Sequence, residues 1–234
     1  MTWGSIAVVT RIGAMAHPLF FDSWSRLLFE GMREADAVMT PAIRLPAHRA
    51  ANAIVKAFLT EDWLKRCDTL CMIDDDHVFP AYTLEKMRRE PAGHEYDVLG
   101  AMYSARGAAR WPVIMCESDK GTSVRPKFEV KWGWKAGDVV SVDALGLGFT
   151  MIRRTLLERM SFPYFVYWDE DDGTEYTEDV TFCVKARALG ATLAIHTGCP
   201  IGHLDNVIMT PATDAEAATH PQIEKHLAAT RGTA

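Results

Sequence analysis

Leu70-Cys71-Met72-Ile73-Asp74-Asp75-Asp76-His77 decides how this chain is read: a short apolar run that stops in three consecutive carboxylates. The run is too short for a buried helix, and with Thr69 ahead of it the stretch reads as a core strand of a parallel sheet. The acids then sit at the strand's carboxyl end, where open α/β sheets gather ligands. Alternation along an extended chain sends Asp74 and Asp76 to one side and Asp75 to the other. The outer pair can therefore converge on one cation, and like charges held that close need a positive partner. A hard divalent ion such as Mg²⁺ or Mn²⁺ suits oxygen ligands of this kind, above all when phosphate oxygens share it. The same residues also fit a plain acidic turn that starts the following helix, with Asp76 or Thr83 as its cap.

Outward from this strand, the first hundred or so residues alternate between two periods. Residues 5–10 form a compact, largely β-branched run, and residues 22–34 carry helical apolar spacing at Trp24, Leu27, Leu28 and Met32. Residues 37–39 read as a short strand closed by Thr40-Pro41, and residues 47–59 as a helix with Ala51, Ile54, Val55 and Phe58 on its apolar face. A helix over 82–90 and a strand over 96–102 follow. This is the pattern of a doubly wound α/β half. Past Arg110 the character changes: 113–116, 127–132 and 139–142 read as an antiparallel excursion with turns at Lys120-Gly121 and Ala136-Gly137. Residues 150–152 read as strand, 153–160 as helix, 162–168 as an aromatic segment broken by Pro163, and 169–172 as an acidic loop. A helix runs from Glu178-Asp179 to Leu189 and stops at Gly190, a position where the left-handed conformation is favoured. Residues 192–195 read as the last strand, and the chain past His203 as an irregular tail with a short helix near 223–229.

At 234 residues and 48% hydrophobic content the chain can bury one substantial core, so a single α/β domain is expected over residues 1–204, with halves 1–110 and 111–204 and a tail at 205–234. A net charge of −6 disfavours a broad electrostatic grip on nucleic acid. Five cysteines, odd in number and without CxxC spacing, indicate neither a disulfide framework nor a structural zinc site. Neither a leader-like N-terminus nor an apolar run of membrane-spanning length is present, so a soluble cytoplasmic protein is expected.

Four motifs in order resemble the GT-A class of nucleotide-sugar-dependent glycosyltransferases, in its family-2-like branch. They are Asp74-Asp75-Asp76 as the DxD motif, Gly146-Leu147-Gly148-Phe149 ahead of Met151-Ile152-Arg153-Arg154, Glu178-Asp179-Val180 opening a helix, and Gly202-His203-Leu204 after the last strand. Small phage and bacterial proteins of this kind look similar. The resemblance implies a doubly wound, mostly parallel GT-A-like sheet with a small antiparallel excursion. It gives Asp74 to the nucleotide's ribose and Asp76 to the metal that bridges the diphosphate, the two together holding donor and metal. Asp75 is counted with the donor-binding residues and expected to matter least for the ion. His203 completes the metal shell, with His196 as rival, and an imidazole ligand leans the ion toward Mn²⁺ rather than Mg²⁺.

In inverting members of this class the second acid of the Glu-Asp pair is the general base, which makes Asp179 the candidate and Glu178 its backup. In a retaining enzyme the pair would orient donor or acceptor instead, and acids opening a helix also suit the helix dipole without any further role. The resemblance places Gly146 and Gly148 beside the donor sugar, although the spacing lacks the third glycine of a dinucleotide fingerprint. Thr10 and Arg11 end the first strand, where GT-A folds receive the nucleotide base, and Arg49 and Arg106 suit either the diphosphate or a solvent-facing position. Asp143 fits either a sugar hydroxyl or a simple turn. Trp132 and Trp134 alternate with Lys131 and Lys135, so one face there is aromatic and the other basic.

The implied activity is metal-dependent transfer of a sugar from a UDP- or GDP-sugar to a hydroxyl. A hydroxymethylated DNA base, a glycan or a protein would be the acceptor. A nucleotidyltransferase would also use acid-bound Mg²⁺ but would carry a Gly- and Lys-rich loop after the first strand, which Arg11-Ile12-Gly13-Ala14-Met15-Ala16 fits poorly. A non-enzymatic sugar-nucleotide or glycan-binding module would need neither Asp179 nor His203.

Overall fold

The computed structural model describes residues 3–13, 16–89, 96–106, 110–119, 126–169, 175–205 and 208–209. The expected turn at Lys120-Gly121 and the helix near 223–229 lie outside them.

In chain order, β1 (Ile6–Ile12) buries its first five side chains, as a strand covered on both faces must. Helix α1 (Pro18–Arg26) has proline at its first position, where the missing N–H costs nothing, and His17 Nδ1 caps the Leu19 amide. It starts earlier than the apolar spacing suggests and runs on through one wider turn at Leu27–Gly31. Strands β2 (Ala37–Val38) and β3 (Ala42–Ile43) bracket Thr40-Pro41, and helix α2 (Ala47–Thr60) buries Ala51, Ile54, Val55 and Phe58 as its periodicity requires. Strand β4 (Thr69–Asp74) is the apolar run, and β5 (His77–Val78) follows after two residues. Helix α3 (Thr83–Arg89), β6 (Val98–Met102), β7 (Ile114–Ser118), β8 (Lys127–Val130), β9 (Val139–Val142), β10 (Ala144–Leu145), β11 (Phe149–Arg153) and helix α4 (Arg154–Arg159) come next. The chain continues through β12 (Trp168–Asp169), β13 (Glu175–Tyr176), helix α5 (Glu178–Ala188), β14 (Leu193–Pro200), β15 (Gly202–Leu204) and β16 (Ile208–Met209). Helix α5 does end at Gly190, whose φ is +78°.

The central sheet has eight strands in the order β2-β1-β4-β11-β6-β14-β9, with β3 also on β1. Only β11 and β9 run against the other strands, so the sheet is mostly parallel. Alternation along each central strand divides its side chains between two layers. Ala7, Val9, Leu70, Met72 and Ile152 meet α2, α4 and α5 through Phe58, Leu156, Leu157 and Phe182. Ile6, Val8, Cys71, Ile73 and Met151 meet α1 and α3 through Phe20, Leu84 and Met87. Deleting one such anchor, Phe58 for example, removes about 3–5 kcal/mol. The result is a single three-layer α/β domain. None of the five cysteines forms a disulfide, and among the described residues no helix is long and apolar enough to cross a membrane.

Two expectations are corrected. Val139–Val142 does not belong to the antiparallel excursion: β7 pairs with β8 and β10, while β9 closes the edge of the main sheet against β14. Short strands carry no local mark of their partner, so the sequence could not separate these two placements. The strand over 192–195 is not the last one, and His203 does not lie beyond the strands. It sits on β15, directly opposite His77 of β5.

Candidate functional site

Strand β4 stops at Asp74, and Asp75-Asp76 form a two-residue turn into β5. The extended geometry that would put Asp74 and Asp76 side by side therefore ends at Asp74, and the three carboxylates go to three different partners. Asp74 is the register partner of Arg11 on β1. Its carboxylate takes the Arg11 fork twice, Nε to Oδ1 at 2.6 Å and Nη2 to Oδ2 at 2.8 Å, while Arg11 Nη1 reaches Glu178 Oε1 at 3.1 Å. Burial works to lower the Arg11 pKa, but the charges of Asp74 and Glu178 outweigh it and the guanidinium stays firmly charged. One cation thus ties the end of β4 to the start of α5. Asp75 turns the other way and accepts the Gly13 amide at 2.8 Å. Burial, then the adjacent carboxylates, hold its pKa above the usual range despite that hydrogen bond.

Asp76 faces two histidines. His203 Nε2 lies 3.3 Å from Asp76 Oδ2, and His77 Nε2 lies 3.8 Å from Oδ1. Arg106 Nη2 also contacts Oδ2. The Oδ1 atom is buried and has no hydrogen-bond partner among the described residues. Behind each ring stands a main-chain carbonyl: Gly202 O is 3.2 Å from His77 Nδ1, and Ser104 O is 2.8 Å from His203 Nδ1. A carbonyl only accepts, so each Nδ1 carries the hydrogen; the neutral His77 ring is left with its Nε2 lone pair, whereas His203 Nε2 donates to Asp76 Oδ2 while that ring is protonated and offers a lone pair once it is not. One ligand atom from each of Asp76, His77 and His203 falls within 4.8 Å of the other two. A buried carboxylate oxygen with no donor, grouped with ring nitrogens fixed from behind, is a set of atoms that could hold a divalent cation. Burial would raise the Asp76 pKa, but the His203 hydrogen bond and the charges of His77, His203 and Arg106 hold it down at about 2. Burial pushes the His77 pKa down; for His203 burial pulls the same way, and the hydrogen bond to Asp76 overcomes it and leaves the pKa raised.

The Gly146-Leu147-Gly148 stretch explains why these rings fit. A Cβ on Gly148 would lie 1.9 Å from His77 Nε2, and one on Gly146 would lie 1.9 Å from Tyr103 Oη. Both glycines are needed for close approach rather than for an unusual φ. The Gly148 amide donates to Tyr103 Oη at 3.2 Å, and its carbonyl accepts the Asp74 amide at 2.9 Å. The Tyr103 ring lies 4.5 Å from His77 and 5.7 Å from His203, centroid to centroid. Sequence reasoning singled out neither His77 nor Tyr103 for the site. The position of His77 directly after the aspartates was the available signal, whereas nothing local marks Tyr103.

Between the end of β1 and the start of α2 opens a cleft of about 290 Å³, walled by Arg11–Gly13, Ala47, Ala50, the three aspartates and Glu178. That is near the lower limit for a small-molecule site. Thr10 is buried and does not line it, and Arg49, although on α2, is exposed and does not line it either. Asn52, one turn from Arg49, is buried and ties α2 to the backbone of Tyr164 and Phe165. Asp179 is partly buried and held by its own turn, accepting from Thr177 Oγ1 and from the Val180 amide at 2.9 Å. Burial raises its pKa, and the charge of Glu178 adds to the shift. Asp179 and Asp74 both act electrostatically on Tyr103, whose pKa burial already drives up. Tyr167 is pushed up to about 12 by burial and by Glu178. His196 is buried, its Nδ1 3.1 Å from the Gly198 amide, and is not one of the three converging ligands. Trp132 and Trp134 line a separate groove with Lys131 and Asp138.

No family model and no curated protein matches the sequence. Solved structures do match in fold. A197 from STIV is 19% identical, with 89% of this chain and 94% of that one aligned at a TM-score of 0.55. GalNAc-T7, solved with UDP, GalNAc and Mn²⁺, is 10% identical, with 86% of this chain and 43% of that one aligned at a TM-score of 0.56. The fold is GT-A-like. This chain spans less than half of GalNAc-T7 and nearly all of A197.

Proposed function

We propose that this protein is a metal-dependent glycosyltransferase that moves a sugar from a UDP- or GDP-sugar to an acceptor hydroxyl. The observation that carries the reading is the buried, donor-free Asp76 Oδ1 grouped with the fixed imidazoles of His77 and His203 just past the carboxyl end of β4, beside a cleft of about 290 Å³. Asp76 and His203 would hold Mn²⁺, which when bound supplies positive charge to a departing diphosphate. GalNAc-T7, which shares the fold, was solved with UDP and Mn²⁺.

The chain's own residues divide the remaining work. The cleft walls at Arg11–Gly13 and α2 receive the nucleoside, with the Asp75–Gly13 hydrogen bond fixing the wall nearest the acids. Arg11 carries charge at the donor end and holds Asp74 and Glu178 in place. Arg106, paired with Asp76 and more than half exposed, is the cation that would meet a diphosphate beside that carboxylate. Of the Glu178-Asp179 pair, Glu178 is committed to Arg11, which leaves Asp179 as the base for the acceptor proton. The overall negative charge favours a glycan hydroxyl over a DNA base as acceptor.

Melting of the protein with UDP, GDP and their sugars, each with and without Mn²⁺, tests the reading. A nucleotide-diphosphate shift that requires the ion and vanishes in Asp76→Ala is expected. If no sugar nucleotide moves the melting point and Asp76→Ala matches the parent, the reading fails.

A further inference from the structure

His77 is the deepest member of the metal-ligand group, its side chain 1% exposed. An imidazole buried this far needs both nitrogens satisfied. Nδ1 has the Gly202 carbonyl. Nε2 faces Asp76 Oδ1 at 3.8 Å, too far for a hydrogen bond, and Oδ1 has no hydrogen-bond donor of its own. An unprotonated ring nitrogen and an unpartnered carboxylate oxygen therefore stand 3.8 Å apart in a buried setting, an arrangement that repels unless a cation stands between them. Ligand atoms each about 2.0–2.2 Å from one ion lie about 3–4 Å from each other. His77 Nε2 at 3.8 Å from Oδ1 and His203 Nε2 at 3.3 Å from Oδ2 each fall in that range, and one ligand atom from each of the three residues lies within 4.8 Å of the other two. Gly148 keeps the approach to Nε2 open, since a Cβ there would occupy it.

We infer that His77 is a third protein ligand, so that the ion is held by one carboxylate and two imidazoles and the site selects a transition-metal dication over Mg²⁺. The inference shares Asp76 and His203 with the proposed function and otherwise stands on the packing of His77. Two imidazoles on one face suit Mn²⁺, Fe²⁺ or Co²⁺, which accept nitrogen readily, whereas Mg²⁺ keeps to oxygen ligands and its own water. Second-sphere partners of metal ligands are worth 10–100-fold in affinity, so loss of a direct ligand should cost about 100-fold or more.

Titration of the full chain with Mn²⁺, followed by pulsed electron paramagnetic resonance, counts the coordinated nitrogens directly. Two inequivalent imidazole nitrogens are expected in the parent, and Mg²⁺ in about 100-fold excess should leave the bound Mn²⁺ in place. His77→Ala should remove one nitrogen signal and weaken Mn²⁺ by about 100-fold, as should Gly148→Ala, which blocks Nε2 while leaving every ligand in the chain. A single nitrogen in the parent, lost in His203→Ala and untouched in His77→Ala, overturns the third ligand and leaves the proposed function standing. Absence of any bound ion, with UDP present, overturns both. The nitrogen count on the parent protein decides the matter even if His77→Ala fails to fold.

Discussion

Replacing Arg11 with Met keeps most of the side chain's volume and deletes the one cation that joins Asp74 to Glu178. In the parent, Arg11 is 10% exposed, Glu178 9% and Asp74 26%, and three hydrogen bonds of 2.6, 2.8 and 3.1 Å run between them. Removing one partner of a buried ion pair costs about 3–5 kcal/mol, because the orphaned charge remains where water reaches it poorly. Asp74 keeps some contact with solvent, which places the loss near the lower end, about 3 kcal/mol. For a chain of this size each kcal/mol moves the melting point by about 2–4 °C, so Arg11→Met should melt about 6–12 °C below the parent. Urea titration of the parent, Arg11→Met, and Arg11→Met combined with Asp74→Asn and Glu178→Gln separates the causes. The combined variant should recover most of the loss, since no unpaired charge is left in it. A loss under about 1 kcal/mol in Arg11→Met, or no recovery in the combined variant, would refute the claim that this triad organises the carboxyl edge of the sheet.

Asp179→Asn should bind nucleotide as the parent does and lose about 10²–10⁴-fold in turnover, and equal loss of binding would remove its role as base. Burial raises the Asp179 pKa, so the folded chain holds that proton more tightly than the unfolded chain and ionisation works against the fold as pH climbs above the ordinary carboxylate value. Asp179→Asn should therefore be at least as stable as the parent at neutral pH, with any gain shrinking on acidification, while parental turnover falls on the acid side at a pH above the usual carboxylate range. Gly146→Ala drives a methyl group into Tyr103 Oη and should cost about 1–3 kcal/mol, with partial recovery when Tyr103→Phe is added, because Tyr103 Cζ at 2.8 Å and Val113 Cγ1 at 2.9 Å still crowd it. An unaffected Gly146→Ala protein by denaturant titration would mean that this loop relaxes freely.

What was legible in the sequence was whatever depends on neighbours along the chain. The apolar run before Asp74, the buried face of α2 and the stop at Gly190 are local patterns, and the structure realises each of them. The mostly parallel sheet followed from the alternation of strand and helix. Contacts between distant residues were not legible in the same way. Alternation was applied one residue too far: it holds to Asp74, then the chain turns, and Asp74 and Asp76 face different partners. Arg11 was placed at the end of β1, but nothing local says that it reaches both Asp74 and Glu178. His203 entered through resemblance, whereas His77 went unused because a histidine after three acids looks like the end of a turn. Only the pairing of β5 with β15 reveals that it is a wall of the site.

That pairing has a consequence for how the centre is assembled. The cleft is built from residues up to Glu178, and the central sheet is complete at β14, yet β15 supplies both His203 and the carbonyl of Gly202 that fixes the ring of His77. Leu204 closes the seam by donating its amide to the Asp76 carbonyl at 2.7 Å. The geometry of the Asp76, His77 and His203 group is therefore clasped by a strand that follows every strand of the central sheet in the chain. Without β15 the sheet would still place Asp76 and His77, but neither would have its clasp, so the group depends on a segment that the central sheet does not need.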